Sequence, residues 1–445
     1  MEVDRCVEVE EGLKKMKEMN WVIEVIGELE KTTDSATEMR QWSKRSIYKI
    51  PDCTKIHSKR SYKPLTISFG PYHHGEQLLM PMEDHKLRAL LHFLKRSRKP
   101  LQLYVASLMD VIDDLKGSYD SLEEKWKLDT DGFLKMMILD GSFMLEALRT
   151  ATHTMGDYAP NDPIFSGHGQ LYFMPYIKRD MLMLENQLPI LVLEKLVEVE
   201  NDDQNLKADE FILRLIMQFW SSGSHYPRIG KCVHVLDVYR KSLLLEEPHK
   251  RTRLRNTVAY AADAGDEIIR SATELHDAGI RFKKSKSSSL RDISFRGGVL
   301  RLPFIMVDDT TEPMFLNLMA FERFHVGAGN DVTSYIFLMD NLIDSARDVA
   351  LLHSKDIIQN AIGSDEAVAK LFNTLSKEVA LDPASSLNLV HQKVNDYCKK
   401  RWNEWRANLI HTYFRNPWAS LSLVAAIALF GLTIVQTWFA VHPVQ

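Results

Sequence analysis

The amino-acid sequence predicts a mainly α protein, with a large helical body, a small β-hairpin or sheet component and one C-terminal transmembrane helix. Three observations predict it. Apolar residues recur at helical spacing along most of the chain. Short alternating stretches flank a glycine pair near residue 297. Finally, the segment from Ala419 to Val441 runs for 23 residues without a charge.

Length and composition are those of a globular protein. The chain has 445 residues, of which 45% are hydrophobic and 26% charged, so it can bury a large core without disulfides or metals. The formal net charge of -4 provides no global basic field, so we expect no nucleic-acid partner. The four cysteines form no C-x-x-C pair, which favours free thiols in a reducing compartment.

Four regions are predicted along the chain. Residues 1–45 are charged and form an N-terminal helical arm, whose alternatives are a partner-binding arm and a solvated helix folded on the body. Residues 46–415 form the helical body, interrupted by a loop at 283–289, KKSKSSS. Residues 419–441 form the transmembrane helix, and residues 442–445 a short tail.

The first half of the body begins with extended segments and continues as helices. SIYKIP and LTISFG read as short extended pieces, and Pro71 and Gly75 mark a loop. A helix follows in PMEDHKLRALLHFLKR, with Pro81 in its first turn. DGFLKMMILDGSFMLEALR predicts a buried helix, and MLMLENQLPILVLEKLVEVE predicts two elements that meet at Pro189.

The second half is predicted to contain a hairpin followed by helices. Residues 293–307 favour a β-hairpin, with the extended piece near Ile67 as a candidate partner strand. A regular apolar spacing from Val332 to Ala350 predicts one helix face, and Ser364 caps the next helix. A last helix is predicted from about Ser386 to Phe414.

The apolar segment near the C-terminus predicts a membrane anchor. As a helix it would extend roughly 34 Å, enough to cross a hydrocarbon core of about 30 Å. Basic residues lie only on its N-terminal side, which predicts a single-pass, tail-anchored protein whose body faces the cytosol, most simply at the plasma membrane. These juxtamembrane residues are Lys399, Lys400, Arg401, Arg406 and Arg415. The alternative is a buried core helix.

The segment ISFGPYHHG, Ile67 to Gly75, raises the question of a metal or catalytic site. Glu83 and His85 are two positions apart on the predicted helix and point to different sides, so only His73 and His74 from the loop could complete a ligand set. The alternative is that Gly70 and Pro71 shape a turn whose polar side chains bind neighbouring elements. No P-loop, H-E-x-x-H or G-x-S-x-G motif occurs, and we expect no cofactor.

Eight segments occur in a fixed order: ISFGPYHHG, MEDHKLRALLHFL, LDGSFMLE, MLMLENQLPILVLEKL, SATELHDAGIRFK, DISFRGGVLRLPFIMVDDTTE, FLNLMAFE and WNEWRANLIHTYFRNPWASLSLVAAIALFGLTIVQTWF. Together they resemble the plant domain of unknown function 247 family, from about Ile47 to Val441. The resemblance implies a plant protein ending in one membrane span, without established enzymatic activity or agreed catalytic residues. Involvement of some grass members in self-incompatibility implies recognition or signalling.

The resulting hypothesis is a membrane-anchored, non-enzymatic recognition or signalling protein that binds another, unknown protein as well as the lipid bilayer. One alternative is an enzyme of unknown class with a pocket around His73, His74 and Glu83, and another is a structural membrane tether. The candidate partner-binding or structural signature residues are Tyr72, His73, His74, Glu83, His85 and Glu185, with Asn186 and Gln187 adjoining them.

Overall fold

Two hydrophobic cores organise the chain in the computed structural model. The structure describes residues 42–56, 58–152, 157–201, 207–221, 229–245, 270–378, 387–399 and 417–441, together with single positions 21, 23, 25, 27 and 39. Most of the predicted N-terminal arm therefore lies outside the described residues, as do Lys400, Arg401, Arg406 and Arg415.

The first half of the body is helical. Its α-helices are α1 (Glu83–Ser97), α2 (Leu101–Met109), α3 (Ile112–Gly117), α4 (Glu124–Leu128), α5 (Thr130–Arg149), α6 (Gly167–Tyr172), α7 (Met174–Asp180), α8 (Ile190–Glu200), α9 (Ala208–Trp220) and α10 (Val235–Leu243). Short 3₁₀ helices occur at Lys59–Tyr62, Met80–Met82 and Thr150–Thr152. The predicted helices in this half are confirmed, and α8 begins directly after Pro189, because proline suits a helix start but not its interior.

The second half contains the strands and further helices. Its α-helices are α11 (Ala272–Asp277), α12 (Thr311–Phe324), α13 (Asp331–Leu342), α14 (Ala346–His353), α15 (Asp365–Leu375), α16 (Asn388–Cys398) and α17 (Pro417–Val441), with a 3₁₀ turn at Ser376–Glu378. The strands are β1 (Arg281–Lys284), β2 (Ser294–Arg296), β3 (Val299–Leu302), β4 (Ile305–Val307) and β5 (Ile358–Asn360).

The predicted hairpin is present and belongs to a small sheet. β2 and β3 pair antiparallel, with Phe295 opposite Leu300, and β1 pairs parallel with β3 on its other side. β4 and β5 form a separate parallel pair. The extended piece near Ile67 is not a strand of this sheet, because its backbone amides are bound by side chains instead. The predicted loop at 283–289 begins inside β1.

One predicted helix is divided in two. The spacing from Val332 to Ala350 suggested a continuous face, but α13 ends at Leu342 and α14 begins at Ala346. Ser345 and Asp348 form a capping box, in which each side chain binds the other's backbone N–H. This local interaction starts a new helix and changes the buried face: α13 buries Val332, Ile336 and Met339 as predicted, but in α14 Ala346 is half-buried and Ala350 exposed, and Val349 and Leu352 are buried instead.

The two cores meet along the middle of the chain. The first core lies among α1, α2, α5, α8 and α9 and includes Phe93, Phe133 and Phe143. The second core surrounds α12 to α15 and the sheets, and includes Phe315 and Phe372. Side chains from residues 47–69 and 181–193 contribute to both cores. These two segments therefore link the halves of the body.

The predicted transmembrane helix is not supported. Although α17 spans Pro417 to Val441, no helix among the described residues is both long and apolar enough to cross a membrane. The transmembrane prediction from Ala419 to Val441 is wrong, as are the single-pass, tail-anchored and plasma-membrane predictions that depended on it.

Candidate functional site

The backbone of the ISFGPYHHG segment is held by side chains from distant elements. The carboxylate of Asp180, at the end of α7, accepts hydrogen bonds from the amides of Leu65, Thr66 and Ile67, the last two at 2.6 and 3.0 Å. Asp180 has no exposed surface, and these amides donate to it instead of to a neighbouring strand. This arrangement explains why an alternating sequence does not form a β-strand here.

Two amide side chains extend the same network. Asn186 accepts a hydrogen bond from the amide of Phe69 at 2.7 Å and donates to the carbonyl oxygen of Ile67 at 3.0 Å. Gln187 donates to the carbonyl oxygen of Met181 at 2.6 Å and accepts from the amide of Leu236 at 3.1 Å. Both side chains are completely buried and satisfy backbone groups at the junction of the two cores.

A buried ion pair lies beneath this segment. Lys86 Nζ on α1 lies 2.6 Å from Asp140 Oδ1 on α5 and 2.7 Å from Glu83 Oε1. The first contact is an ion pair rather than a well-aligned hydrogen bond, since that oxygen lacks a partner of hydrogen-bond geometry. The other Asp140 oxygen accepts from the amide of Gly70 at 2.8 Å. Burial raises the pKa of the Asp140 carboxyl, and the ammonium group of Lys86 opposes that rise.

A second buried ion pair holds the other side of the loop. The Glu185 carboxylate accepts hydrogen bonds from Lys55 Nζ, at 2.8 Å, and from the backbone amide of Ile50, at 2.6 Å. His73 Nδ1 is 2.7 Å from Glu76 Oε1, while its Nε2 is 3.7 Å from Glu185 Oε2. Only 5% of His73 is exposed, so the ring is positioned inside the body.

The remaining signature residues have separate surroundings. The Tyr72 hydroxyl donates to the carbonyl oxygen of Asp120, and burial raises the pKa of this tyrosine above its usual value. The His74 ring packs edge-on against Trp126 at 5.3 Å, and burial lowers the pKa of His74. His85 is on another side of α1, where burial and the charge of Arg88 lower its pKa.

The structure thus places Tyr72, His73 and His74 on one loop, with Glu83 and Glu185 close to it. His85 lies away from this group. Sequence reasoning missed Lys55, Lys86, Asp140 and Asp180. A signal for Asp140 was available, because a lone carboxylate inside MMILDGSFML is costly to bury unless it is paired. Across the residues that the structure describes, no three His, Cys, Asp or Glu side chains converge as metal ligands do.

A different feature is found on the surface at α6 and α7. Leu171, Tyr172, Phe173 and Tyr176, which we call the aromatic surface, are 66%, 57%, 40% and 54% exposed. The helices join almost without interruption, because the amide of Ile177 binds the carbonyl oxygen of Phe173 across the boundary. Met174 and Ile177 of α7 are buried in the first core and hold α7 against it.

Comparison with known proteins identifies the family. A family model, DUF247, described as a plant protein of unknown function, matches residues 47–432. This chain belongs to the DUF247 family. The DUF247 match confirms the resemblance carried by ISFGPYHHG and the later motifs, and nearly all of the described body lies within it.

Two relatives from Arabidopsis thaliana match this DUF247 chain over most of its length. The UPF0481 protein At3g47200 is 31% identical over 421 residues, which cover 89% of this chain and 86% of the relative. The putative UPF0481 protein At3g02645 is 23% identical over 517 residues, which cover 95% of this chain and 94% of the relative. No solved structure matches the chain.

Proposed function

We propose that this DUF247 protein is a non-enzymatic recognition or signalling protein that binds another protein through the aromatic surface. The observation that carries the proposal is the exposure of Leu171, Tyr172, Phe173 and Tyr176 in one six-residue stretch. Single exposed apolar residues are ordinary on protein surfaces, whereas a contiguous group is typical of a binding site. Tyrosine and phenylalanine are also enriched in the centres of protein interfaces.

The geometry of this stretch suits an interface. The buried side chains of Met174 and Ile177 anchor α7, and Lys178 Nζ lies 4.3 Å from the ring centroid of Phe219 on α9. A partner would thus meet aromatic groups on a fixed helix and would not have to order a loop. Less conformational entropy is lost when the binding residues are preorganised.

The buried polar residues support a non-enzymatic protein. Two of the three residues of the alternative enzyme pocket have charged partners, since His73 contacts Glu76 and Glu83 contacts Lys86. The third, His74, packs its ring edge-on against Trp126. Lys55 and the amide of Ile50 likewise bind Glu185. These interactions indicate that His73, Glu83 and Glu185 help to hold the ISFGPYHHG segment in place.

Site-specific photo-crosslinking of the full-length protein in plant cells tests the proposal. A photoreactive phenylalanine analogue replaces Tyr176, and the same analogue at Leu128, which is 77% exposed on α4, serves as the control position. We expect one reproducible protein partner from position 176 and none in common with position 128. Identical products from both positions, or no product from 176, would contradict the proposal.

The affinity of the purified partner for variants of the protein gives a quantitative test of the proposal. Combined Tyr172→Ser, Phe173→Ser and Tyr176→Ser changes are expected to weaken binding by about 30-fold or more, as loss of interface anchors does. The control is Leu87→Ser with Leu91→Ser, which removes two exposed leucines from α1. If the two variants bound the partner with equal affinity, the aromatic surface would not be its binding site.

A further inference from the structure

A group of exposed cations lies beside the aromatic surface. Lys59, Arg60 and Lys63 are exposed on and just after the 3₁₀ helix Lys59–Tyr62, whose Tyr62 is completely buried and anchors the turn. We call these three residues the basic rim. Within the part of the chain that the structure describes, none of the three forms an ion pair.

The basic rim is fixed next to α7. The guanidinium group of Arg179 donates to the carbonyl oxygens of Arg60 and Lys63, each at 3.2 Å. Arg179 follows Tyr176 by three positions, and residues with this spacing lie on the same side of a helix. The basic rim and the aromatic surface are therefore adjacent parts of one exposed region.

Carboxylates are scarce in this region. Neither residues 53–75 nor residues 163–179 contain an aspartate or a glutamate. Two nearby carboxylates are already engaged, since Asp180 binds the amides of residues 65–67 and Glu312 accepts hydrogen bonds from Ser58 and Ser61. The three exposed cations thus stand out in a chain whose formal net charge is -4.

From this arrangement we infer that the partner contacts the site with an acidic segment that also carries apolar side chains. The apolar side chains pack on the aromatic surface, and the carboxylates face the basic rim. Complementary charge at an interface rim mainly selects partners and accelerates association, while desolvated aromatic residues provide most of the affinity. The inference rests on the proposed function, because it specifies the occupant of the same surface.

A nucleic acid is the other occupant that cations and aromatic rings can bind. Two features favour a protein. Leucine and proline stand among the rings, at Leu171 and Pro175, and the cations lie to one side instead of alternating with the rings as they would along a phosphate backbone. The experiment therefore includes RNA as a competing ligand.

Selection from a random 12-residue peptide library on the full-length protein tests the inference without assuming a partner. We expect enriched peptides to combine Asp or Glu with Leu, Phe or Trp and to carry net negative charge. Enrichment of neutral or basic peptides would overturn the inference. Tighter binding to polyuridylic acid than to every selected peptide, or peptide binding that is lost because the chain self-associates, would also overturn it.

Charge reversal then separates this inference from the proposed function. For a selected acidic peptide, we expect Lys59→Glu, Arg60→Glu and Lys63→Glu together to raise the Kd about tenfold or more and to reduce its salt dependence. The matched control changes the charge equally at three exposed lysines elsewhere, with Lys283→Glu, Lys355→Glu and Lys370→Glu. Circular dichroism verifies that both variants are folded.

The outcomes are distinct. If the Tyr172, Phe173 and Tyr176 changes abolish partner binding while the basic-rim variant binds like its control, the proposed function stands and the acidic-segment inference fails. If neither variant affects partner binding, both fail. Weaker binding of both variants, with the control unaffected, supports both.

Discussion

Lys86 and Asp140 form an ion pair from which water is excluded: Nζ lies 2.6 Å from Oδ1, and 0% and 1% of the two side chains are exposed. The pair joins α1 to α5 and, through the second Asp140 oxygen, holds the amide of Gly70. A buried pair of this kind is often no more stable than an apolar replacement, but removal of one partner leaves an uncompensated buried charge.

Lys86→Met is therefore expected to lower the free energy of unfolding by roughly 3 to 5 kcal/mol, measured by urea denaturation at pH 7. Adding Asp140→Leu should recover part of this loss, because the second change removes the unpaired charge. The control is Lys127→Ala, which breaks an exposed pair with Glu124 and should cost less than about 1 kcal/mol. A Lys86→Met protein as stable as the control would show that the pair is not needed.

Gly70 and Gly75 provide a matched comparison in the ISFGPYHHG segment. Both have positive φ, 73° and 85°, but a Cβ at Gly70 would lie 2.8 Å from the carbonyl oxygen of Gln187, whereas one at Gly75 would meet nothing within 4 Å. Gly75→Ala should cost only the backbone strain of about 1 kcal/mol. Gly70→Ala should cost roughly 2 to 4 kcal/mol, because the clash is with backbone. Equal losses in thermal or urea unfolding would contradict the close packing at Gly70.

Asp180→Ala should release the backbone of residues 65–67. Three amides lose their acceptor, and since buried unsatisfied donors are costly, we expect a loss of about 3 kcal/mol in the free energy of unfolding. Hydrogen exchange should accelerate at Thr66 and Ile67 in particular. Asp129→Ala, which removes an exposed cap on the amide of Gly132, is the control and should cost about 1 kcal/mol. Unchanged exchange at Ile67 would argue against the role of Asp180.

His234 should make the stability of the protein depend on pH. Burial lowers the pKa of His234 to about 4, and the nearby charges of His325 and Lys241 add to this effect, while Asp237 opposes it. The neutral ring accepts from the amide of Asp237 at 3.1 Å and lies 3.0 Å from the carbonyl oxygen of Ser46.

The sign of the effect follows from proton binding. Between an unfolded pKa of about 6.5 and the folded value of about 4, the unfolded chain binds more protons, so stability is fully present above pH 6.5 and is lost as pH falls. From pH 7 to pH 5 this group should contribute a loss of about 2 kcal/mol. His234→Gln should flatten the profile by that amount, whereas His353→Gln, at an exposed histidine, should not. Parallel profiles for the two variants would exclude His234 as the source.

Local sequence predicted the helices well where one face is apolar. The sequences of α1, α5 and α15 repeat apolar residues at helical spacing, and Ser364 caps α15 as predicted, with its hydroxyl accepting from the amide of Ala367. The antiparallel β2–β3 hairpin was also predictable, because Gly297 and Gly298 supply the positive φ values of its turn. These features depend on residues within a few positions of one another.

The candidate site was only partly predictable. The ISFGPYHHG and ENQ motifs were recognised, but their mutual contact was not, since Asn186 binds a backbone group 117 positions away at Phe69. The ion pair between Lys86 and Asp140 and the three amides held by Asp180 were missed for the same reason. The aromatic surface was missed because its residues follow one another without a helical or alternating period.

By itself the sequence determined the family, the mainly helical class and most helix positions, because periodicity, caps and motif order are local properties of the chain. Only the tertiary structure decided that the extended ISFG piece is held by side chains instead of a strand, which aromatic residues remain exposed, and which cations stand beside them. Such outcomes depend on how distant segments pack, since burial and ion pairing are set by neighbours in space rather than by neighbours in sequence.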